Sequence, residues 1–286
     1  MTRAGCGRIL ITGANGMLGR AFARELELAG VPFCGLTRDQ LDVSEARAVL
    51  AAVKQGDCVL NCAAYTAVDA AESEPELADR ANALGPRLLA EACETRGALL
   101  VHFSTDYVFD GEASLPYATG SPPRPVNVYG HSKLRGEQHV LGSRCAHLLI
   151  RTSWLYAAWG SNFVLAIARL LQQGELVRVV NDQRGTPTSA PWLARATLRL
   201  LQLERRGLFH VTEGGECSRF ELACRIRSLL RTSALVEACS SVDFPTPAKR
   251  PSYSVLDVTE TEHWIGPSPH FEASLAQVLR TVATAS

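Results

Sequence analysis

Arg8-Ile-Leu-Ile-Thr12 runs directly into Gly13-Ala-Asn-Gly16-Met-Leu-Gly19. The first five residues form a short apolar run of strand length. From Met17 to Ala29 the spacing turns helical, with Leu18, Phe22 and Leu26 on one face. Gly13, Gly16 and Gly19 therefore occupy a strand–turn–helix connection. Glycines there permit a tight turn, close approach of backbone to a pyrophosphate, and tight packing of helix on strand. The helix N-terminus adds N–H donors and a positive dipole end, which suit phosphate. A plain turn would rarely need three glycines, so the stretch predicts a dinucleotide site.

The alternation continues outward from this stretch. Strands are expected at 31–36, 58–62, 99–104 and 147–152, and helices at 44–54, 75–96 and 128–141. Ser44 is a candidate N-cap, and the long helix at 75–96 is entered by Pro75 and followed by Gly97. Short, nearly continuous apolar strands between helices mean a parallel sheet covered on both faces. Residues 1–152 thus read as a doubly wound α/β dinucleotide-binding domain. Beyond Arg151 the pattern is less regular. Helices are expected at 162–173, 191–203 and 271–285, and a strand at 177–181. Ser218-Arg-Phe-Glu221 is a capping box opening a further helix through Arg231. The Pro- and Ser-rich segment 240–253 reads as a loop. Residues 153–286 are expected to form mainly a smaller α/β substrate-binding domain, with segments returning to the first sheet. Loop 110–127 carries Gly111, Pro116, Gly120, Pro122, Pro123 and Pro125 and is long enough for a lid or a binding loop.

Composition narrows the function classes. Of 286 residues, 47% are hydrophobic and 20% charged, which excludes a disordered chain, a collagen and a coiled coil. Lys plus Arg and Asp plus Glu both number 29, so no broad positive field serves nucleic acid. Nine cysteines without a C-x-x-C, several inside apolar runs, suggest free thiols in a reducing compartment. Cys58 and Cys62 lack a nearby second ligand pair, so no metal is expected. Residues 1–7 show no apolar leader and no run of 18 apolar residues occurs, so the expectation is a cytoplasmic protein with no membrane segment.

Three further motifs carry chemistry. Leu36-Thr-Arg38-Asp39 ends the second strand, where the ribose would be read. Arg38 could pair with a 2′-phosphate, favouring NADPH; it also reads as a solvated charge, and Asp39 leaves NADH open. Tyr129 and Lys133 stand at i and i+4, on one face of a helix. A nearby ammonium stabilises phenolate, making the phenol an acid for a carbonyl oxygen receiving hydride. Ser104-Thr105-Asp106-Tyr107 ends the fourth strand, where ligands of open α/β sheets sit, although these residue types also suit turns.

Together these residues resemble the extended short-chain dehydrogenase/reductases, a Rossmann-fold family. Longer strings narrow the likeness to the dTDP-4-dehydrorhamnose reductases and cover nearly the whole chain. They include Asn61-Cys-Ala-Ala-Tyr-Thr-Ala-Val-Asp69, Ser104-Thr-Asp-Tyr-Val-Phe-Asp-Gly111, Val126-Asn-Val-Tyr-Gly130, Arg151-Thr-Ser-Trp-Leu-Tyr156 and Asn181-Asp-Gln-Arg-Gly-Thr-Pro-Thr188, with Arg250-Pro251 near the end. The resemblance implies hydride transfer from NADPH, or NADH, to the C4 ketone of a dTDP-4-keto-6-deoxyhexose. It makes Tyr129 the proton donor and gives Lys133 the nicotinamide ribose and the lowering of the Tyr129 pKa. Thr105 would polarise the ketone or tune Tyr129. Cofactor contacts carry over to Gly16, Met17 and Leu18, to Asp42 and Val43 near the adenine, and to Ala64, Tyr65, Thr66 and Phe103. Substrate contacts carry over to Thr105, Asp106 and Trp154; unaided, Trp154 reads as core. Asn162 and Arg250 are candidates for the diphosphate, beside the readings of a helix N-cap and a surface charge. Asp182 and Gln183 read as turn residues.

Some relatives join two subunits through Mg²⁺ held by acidic residues, where this chain has Arg20-Ala21 and Pro191. The carboxylates a hard cation needs are absent there, and Glu272 alone would not suffice. A monomer or weak homodimer is expected. A 4,6-dehydratase needs a Glu where Tyr107 stands, and the long strings do not match a 4-epimerase. A reductase of another deoxysugar shares the strings. A non-catalytic subunit of methionine adenosyltransferase is the alternative from a different class, and the Thr105, Tyr129, Lys133 and Trp154 set weighs against it.

Overall fold

β1 (Ile9–Thr12), α1 (Met17–Leu28), β2 (Phe33–Leu36), α2 (Ala46–Ala52) and β3 (Cys58–Asn61) begin the computed structural model, which describes residues 7–285. The reading of residues 1–6 as leaderless, and the thiol of Cys6, lie outside the described residues. The chain continues through α3 (Val68–Ala71), α4 (Pro75–Asp79), a π-helical turn at Arg80–Leu84, α5 (Gly85–Arg96), β4 (Leu99–Thr105), α6 (Val128–Leu141) and β5 (Ala146–Thr152). Then come β6 (Leu155–Tyr156), α7 (Phe163–Gln172), β7 (Val177–Val180), β8 (Arg184–Gly185), β9 (Thr188–Ser189), α8 (Ala190–Gln202) and β10 (Gly207–His210). β11 (Cys217–Ser218), α9 (Arg219–Leu230), β12 (Val236–Cys239), α10 (Thr259–Ile265) and α11 (Phe271–Ala285) complete it.

Six parallel strands form the central sheet in the order β10-β5-β4-β3-β1-β2. Period-two alternation sends their side chains to opposite faces. Leu10, Val59, Leu100 and Leu149 pack under α2, α5 and α6 with Val49, Leu89 and Val140. Ile11, Leu60, Val101 and Ile150 pack under α1 and α8 with Phe22, Leu193 and Leu200. Each such buried side chain contributes roughly 1.5–3 kcal/mol, so both faces are covered. The sheet is the doubly wound α/β arrangement. Its sixth strand, Gly207–His210, has only Leu208 and Phe209 as large apolar residues and escapes a reading by periodicity. A second core gathers Val164, Ile167 and Leu171 of α7, Leu222 and Ile226 of α9, and Leu275 of α11 against the parallel pair β7 and β12.

Local details depart from the sequence expectations. The helix at 75–96 follows one path but widens into the π turn at Arg80–Leu84. Ser44 does not cap α2: its hydroxyl donates to Asp42, and Glu45 precedes the helix without a side-chain cap. Loop 110–127 is not a lid. Tyr117 stacks on Phe109 at 4.2 Å, pairs by backbone with the Val255–Asp257 region, and donates its hydroxyl to Asp110. Aromatic burial thus pins the loop away from the cavity described below. Ser218 and Glu221 do form the capping box. None of the eight described cysteines is in a disulfide. Among the described residues no helix is long and apolar enough to cross a membrane.

Candidate active site

The glycine turn is built by contact rather than by flexibility alone. Gly13 adopts φ +62°, and a Cβ there would lie 2.8 Å from the Ala63 backbone. A Cβ on Gly19 would lie 2.4 Å from the Gly13 carbonyl oxygen. Gly16 is the N-cap of α1 with no side chain spent on the cap and no acid in the first turn. The first N–H groups of α1 are therefore left for a ligand. A bare helix N-terminus above a cradle that any Cβ would fill fits a dinucleotide pyrophosphate.

This turn opens onto a cavity of about 760 Å³ at the carboxyl ends of β1, β3, β4 and β5. The wall includes Gly16, Met17, Leu18, Ala64, Thr66 and Phe103 on the cofactor side. Thr105, Tyr129, Lys133, Trp154, Asn162 and Arg250 also reach it. Gly13, Gly19, Arg38, Asp42, Val43, Tyr65 and Asp106 do not line it. Arg38 is exposed just past β2. The Asp42 carboxylate is occupied by the backbone N–H and hydroxyl of Ser44, which hold its pKa below the usual value. Val43 is buried, with a methyl group pressed against Gly85. Tyr65 directs its hydroxyl outward to Glu74, while its backbone N–H and carbonyl are both held by the amide of Asn82 at 2.9 Å.

Asn82 lies in the π turn and also donates to Ser132, 3.0 Å away on α6. Gly136 lets this turn approach, since a Cβ there would lie 2.1 Å from the Asn82 carbonyl oxygen. One buried amide thus ties the loop after β3 to the helix carrying Tyr129. Nothing in the sequence around position 82 announces this, because the π turn exists only in the folded helix pair.

Thr105 ends β4 with a fully wired hydroxyl. It accepts from the Tyr107 N–H at 3.1 Å and donates to Asp106 at 3.0 Å. The Tyr129 phenol lies beside this hydroxyl, which lowers its pKa by favouring the phenolate. Burial pushes Asp106 up to about 6. Lys133 is buried and donates to the Phe103 carbonyl at 2.6 Å. Burial lowers its pKa to about 8, opposed by the Glu137 carboxylate one turn on. The sequence expectation that Lys133 acidifies Tyr129 meets a correction here. Burial raises the Tyr129 pKa, Asp106 and Tyr107 raise it further, and the lowering contact is Thr105. The reason is geometric: the ammonium is drawn to a backbone carbonyl rather than to the phenol.

Trp154 carries a strained φ of +45°. Its indole fills the space a Cβ on Gly185 would need, 2.6 Å away. The Arg219 guanidinium carbon lies 3.5 Å from its ring centroid. Asn162 caps α7, accepting from Leu165 N–H at 3.1 Å, and donates to the Ala157 and Trp159 carbonyls. Arg250 binds both oxygens of Asp69, at 3.0 and 2.7 Å. Asp182 accepts from Ser241, and Gln183 donates to it. Sequence reasoning missed Arg219, which also lines the cavity. A signal was present: a cation in the first turn of a helix opposes the dipole, so it needs another reason to be there.

A covered parallel sheet, a glycine turn at its first crossover, and a Tyr/Lys pair with a hydroxyl at the end of β4 define an extended short-chain dehydrogenase/reductase. The sequence matches the family described as the RmlD substrate binding domain over residues 7–284. A dTDP-4-dehydrorhamnose reductase of Streptomyces griseus is 41% identical, over 94% of this chain and 92% of its own length. The crystal structure of a dTDP-4-dehydrorhamnose reductase from Clostridium acetobutylicum superposes with a TM-score of 0.93 at 38% identity, covering 97% of this chain and all of that one. A Bacillus anthracis dTDP-4-dehydrorhamnose reductase in complex with NADP gives 0.92 at 36% identity, covering 96% and 99%. The chain belongs to the dTDP-4-dehydrorhamnose reductase family.

Proposed function

We propose that this chain reduces the C4 ketone of dTDP-4-dehydro-L-rhamnose to give dTDP-L-rhamnose. One observation carries the reading: the Tyr129 phenol, the Thr105 hydroxyl and the Lys133 side chain reach the same cavity that the glycine turn opens onto. The relatives' names supply the sugar nucleotide. NADPH is the preferred cofactor because Arg38 is exposed just past β2, and NADH is also accepted because the neighbouring Asp39 is exposed too.

NADPH, when bound, supplies the hydride. Tyr129 donates the proton to the ketone oxygen. Its raised pKa keeps the phenol protonated at neutral pH, so the donor is loaded. An alkoxide is a stronger base than a phenolate, so the proton moves favourably once the carbonyl is reduced. Thr105 has one proton and gives it to Asp106. It is therefore not free to polarise the ketone; its part is to tune Tyr129, turning that proton to the phenolate as the phenol gives up its own. Lys133, cationic below about 8, would hold the nicotinamide ribose. Trp154 lines the cavity and bounds the space for the sugar. The enzyme acts in the cytoplasm as a monomer or weak homodimer; Glu272 is paired with Arg225 at 2.5 Å rather than presented for a shared cation.

The test is direct. The purified chain, NADPH and the keto-sugar nucleotide are mixed, the nicotinamide absorbance is followed, and the product is identified by NMR. Oxidation of NADPH with formation of dTDP-L-rhamnose is expected. No turnover, together with tight binding to a methionine adenosyltransferase, would overturn it.

A further inference from the structure

Arg219 is the first residue of α9 and lies on the cavity wall. At 3.5 Å from the Trp154 centroid its planar fork lies flat on the indole, so its N–H donors point outward, parallel to the ring. The Phe163 ring is 5.0 Å away. Among the described residues Arg219 has no carboxylate within ion-pair distance, whereas Arg250 nearby is paired with Asp69 at 2.7 Å. Burial works against the Arg219 charge more than any neighbour supports it, and Tyr107 and Asp106 only partly compensate. A half-buried guanidinium without a carboxylate keeps its N–H donors for an anion.

The anion's place follows from the neighbours. Both arginines lie close enough to the Tyr107 phenol for their charges to act on it. The Tyr107 ring meets the Tyr129 ring edge-on, with centroids 5.9 Å apart. The cation therefore stands about one ring beyond the proton donor. In a nucleotide sugar reduced at C4, the phosphate on C1 lies across the pyranose from the reacting carbon. We infer that Arg219 binds the diphosphate of the nucleotide-sugar substrate, with its fork preorganised by stacking on Trp154, while Arg250 stands behind it, neutralised by Asp69. The inference rests on the function proposed above and names the residue that recognises the charged part of that substrate.

Equilibrium binding to the NADPH-loaded protein tests it, with dTDP and thymidine as ligands. Wild type should prefer dTDP strongly. Arg219→Gln should weaken dTDP by about ten- to a hundredfold, the worth of charge-assisted hydrogen bonds, with thymidine nearly unchanged. Arg219→Lys keeps the charge but loses the stacked fork, and should fall between. An NADPH affinity equal to wild type shows that the variant is folded. If Arg219→Gln loses NADPH as well, the Arg219→Lys result decides by the same comparison. Binding of dTDP within about twofold of wild type in the deciding variant overturns the inference, as does loss of the dTDP preference in Arg250→Gln alone. A wild type that binds NADPH but neither dTDP nor thymidine overturns the proposed function as well, a result the variants cannot mimic.

Discussion

Replacing Tyr129 by Phe removes one oxygen and leaves the rest of the site in place. The ring keeps its edge-on contact with Tyr107 at 5.9 Å. Ser132 still donates to the backbone carbonyl of residue 129 at 2.7 Å, a bond independent of the phenol. Thr105 keeps Asp106 and the Tyr107 N–H. The lost bond to Thr105 therefore costs folding no more than about 0.5–1.5 kcal/mol. Catalysis loses far more. A positioned general acid contributes about 10²–10⁴-fold, or about 2.7–5.5 kcal/mol of barrier. Water entering the cavity can replace part of the donor, so the expected loss in kcat is at least about a hundredfold, with KM little changed. The assay follows NADPH oxidation at saturating keto-sugar nucleotide, with NADPH affinity measured separately to show that the cofactor still binds. Turnover like wild type would refute the reasoning. Thr105 has already committed its proton to Asp106, so a competent Phe variant would place the acid elsewhere.

Further outcomes follow from the same geometry. Activity should fall above about pH 8, where buried Lys133 loses its proton and with it the charge beside the ribose. It should also fall below about pH 6, where Asp106 takes up a proton and no longer anchors the Thr105 hydroxyl; Asp106→Asn should abolish that acid limb in a kcat profile, and an unchanged limb contradicts the assignment. Gly19→Ala drives a Cβ to 2.4 Å from the Gly13 carbonyl and 2.8 Å from the Ala14 Cα, both backbone atoms that cannot swing aside. The expected cost is about 1–3 kcal/mol, seen as a lower Tm and weaker NADPH binding by calorimetry. Glu137→Gln leaves Arg151 buried without the carboxylate it binds at 2.9 and 2.6 Å. Thermal or urea unfolding should register a loss of about 3–5 kcal/mol, and a Tm equal to wild type would show the pair to be dispensable.

The order of strands and helices, the glycine turn and the Tyr129/Lys133 spacing were legible in the chain because each depends on local periodicity. Short continuous apolar runs bounded by turn residues suit strands buried on both faces, and residues at i and i+4 share a helix face. Five of the six sheet strands announce themselves in this way. The sixth, Gly207–His210, does not: it opens on glycine, carries only Leu208 and Phe209 as large apolar residues, and gains its place from pairing with β5 across a long chain separation. Loop 110–127 misled for a related reason: its glycines and prolines predict a turn-rich path, while Phe109, Tyr117 and Leu256 decide where that path is pinned.

Protonation and partnership were settled only by tertiary structure. The spacing of Tyr129 and Lys133 places two side chains on one face but cannot say where the ammonium points. The fold turns it to the Phe103 carbonyl and leaves the phenol to Thr105. Asn162 and Arg250 carry the right chemistry for phosphate, yet the first is taken up by the α7 cap and the second by Asp69. Arg219 reads as one residue of a capping box until Trp154, held in its strained turn by Gly185, is brought beneath it. Sequence alone determines which groups an element can offer, since that follows from the period of the chain. Which of those groups is already spent depends on desolvation and on partners distant along the chain, and these come into being only when the elements pack.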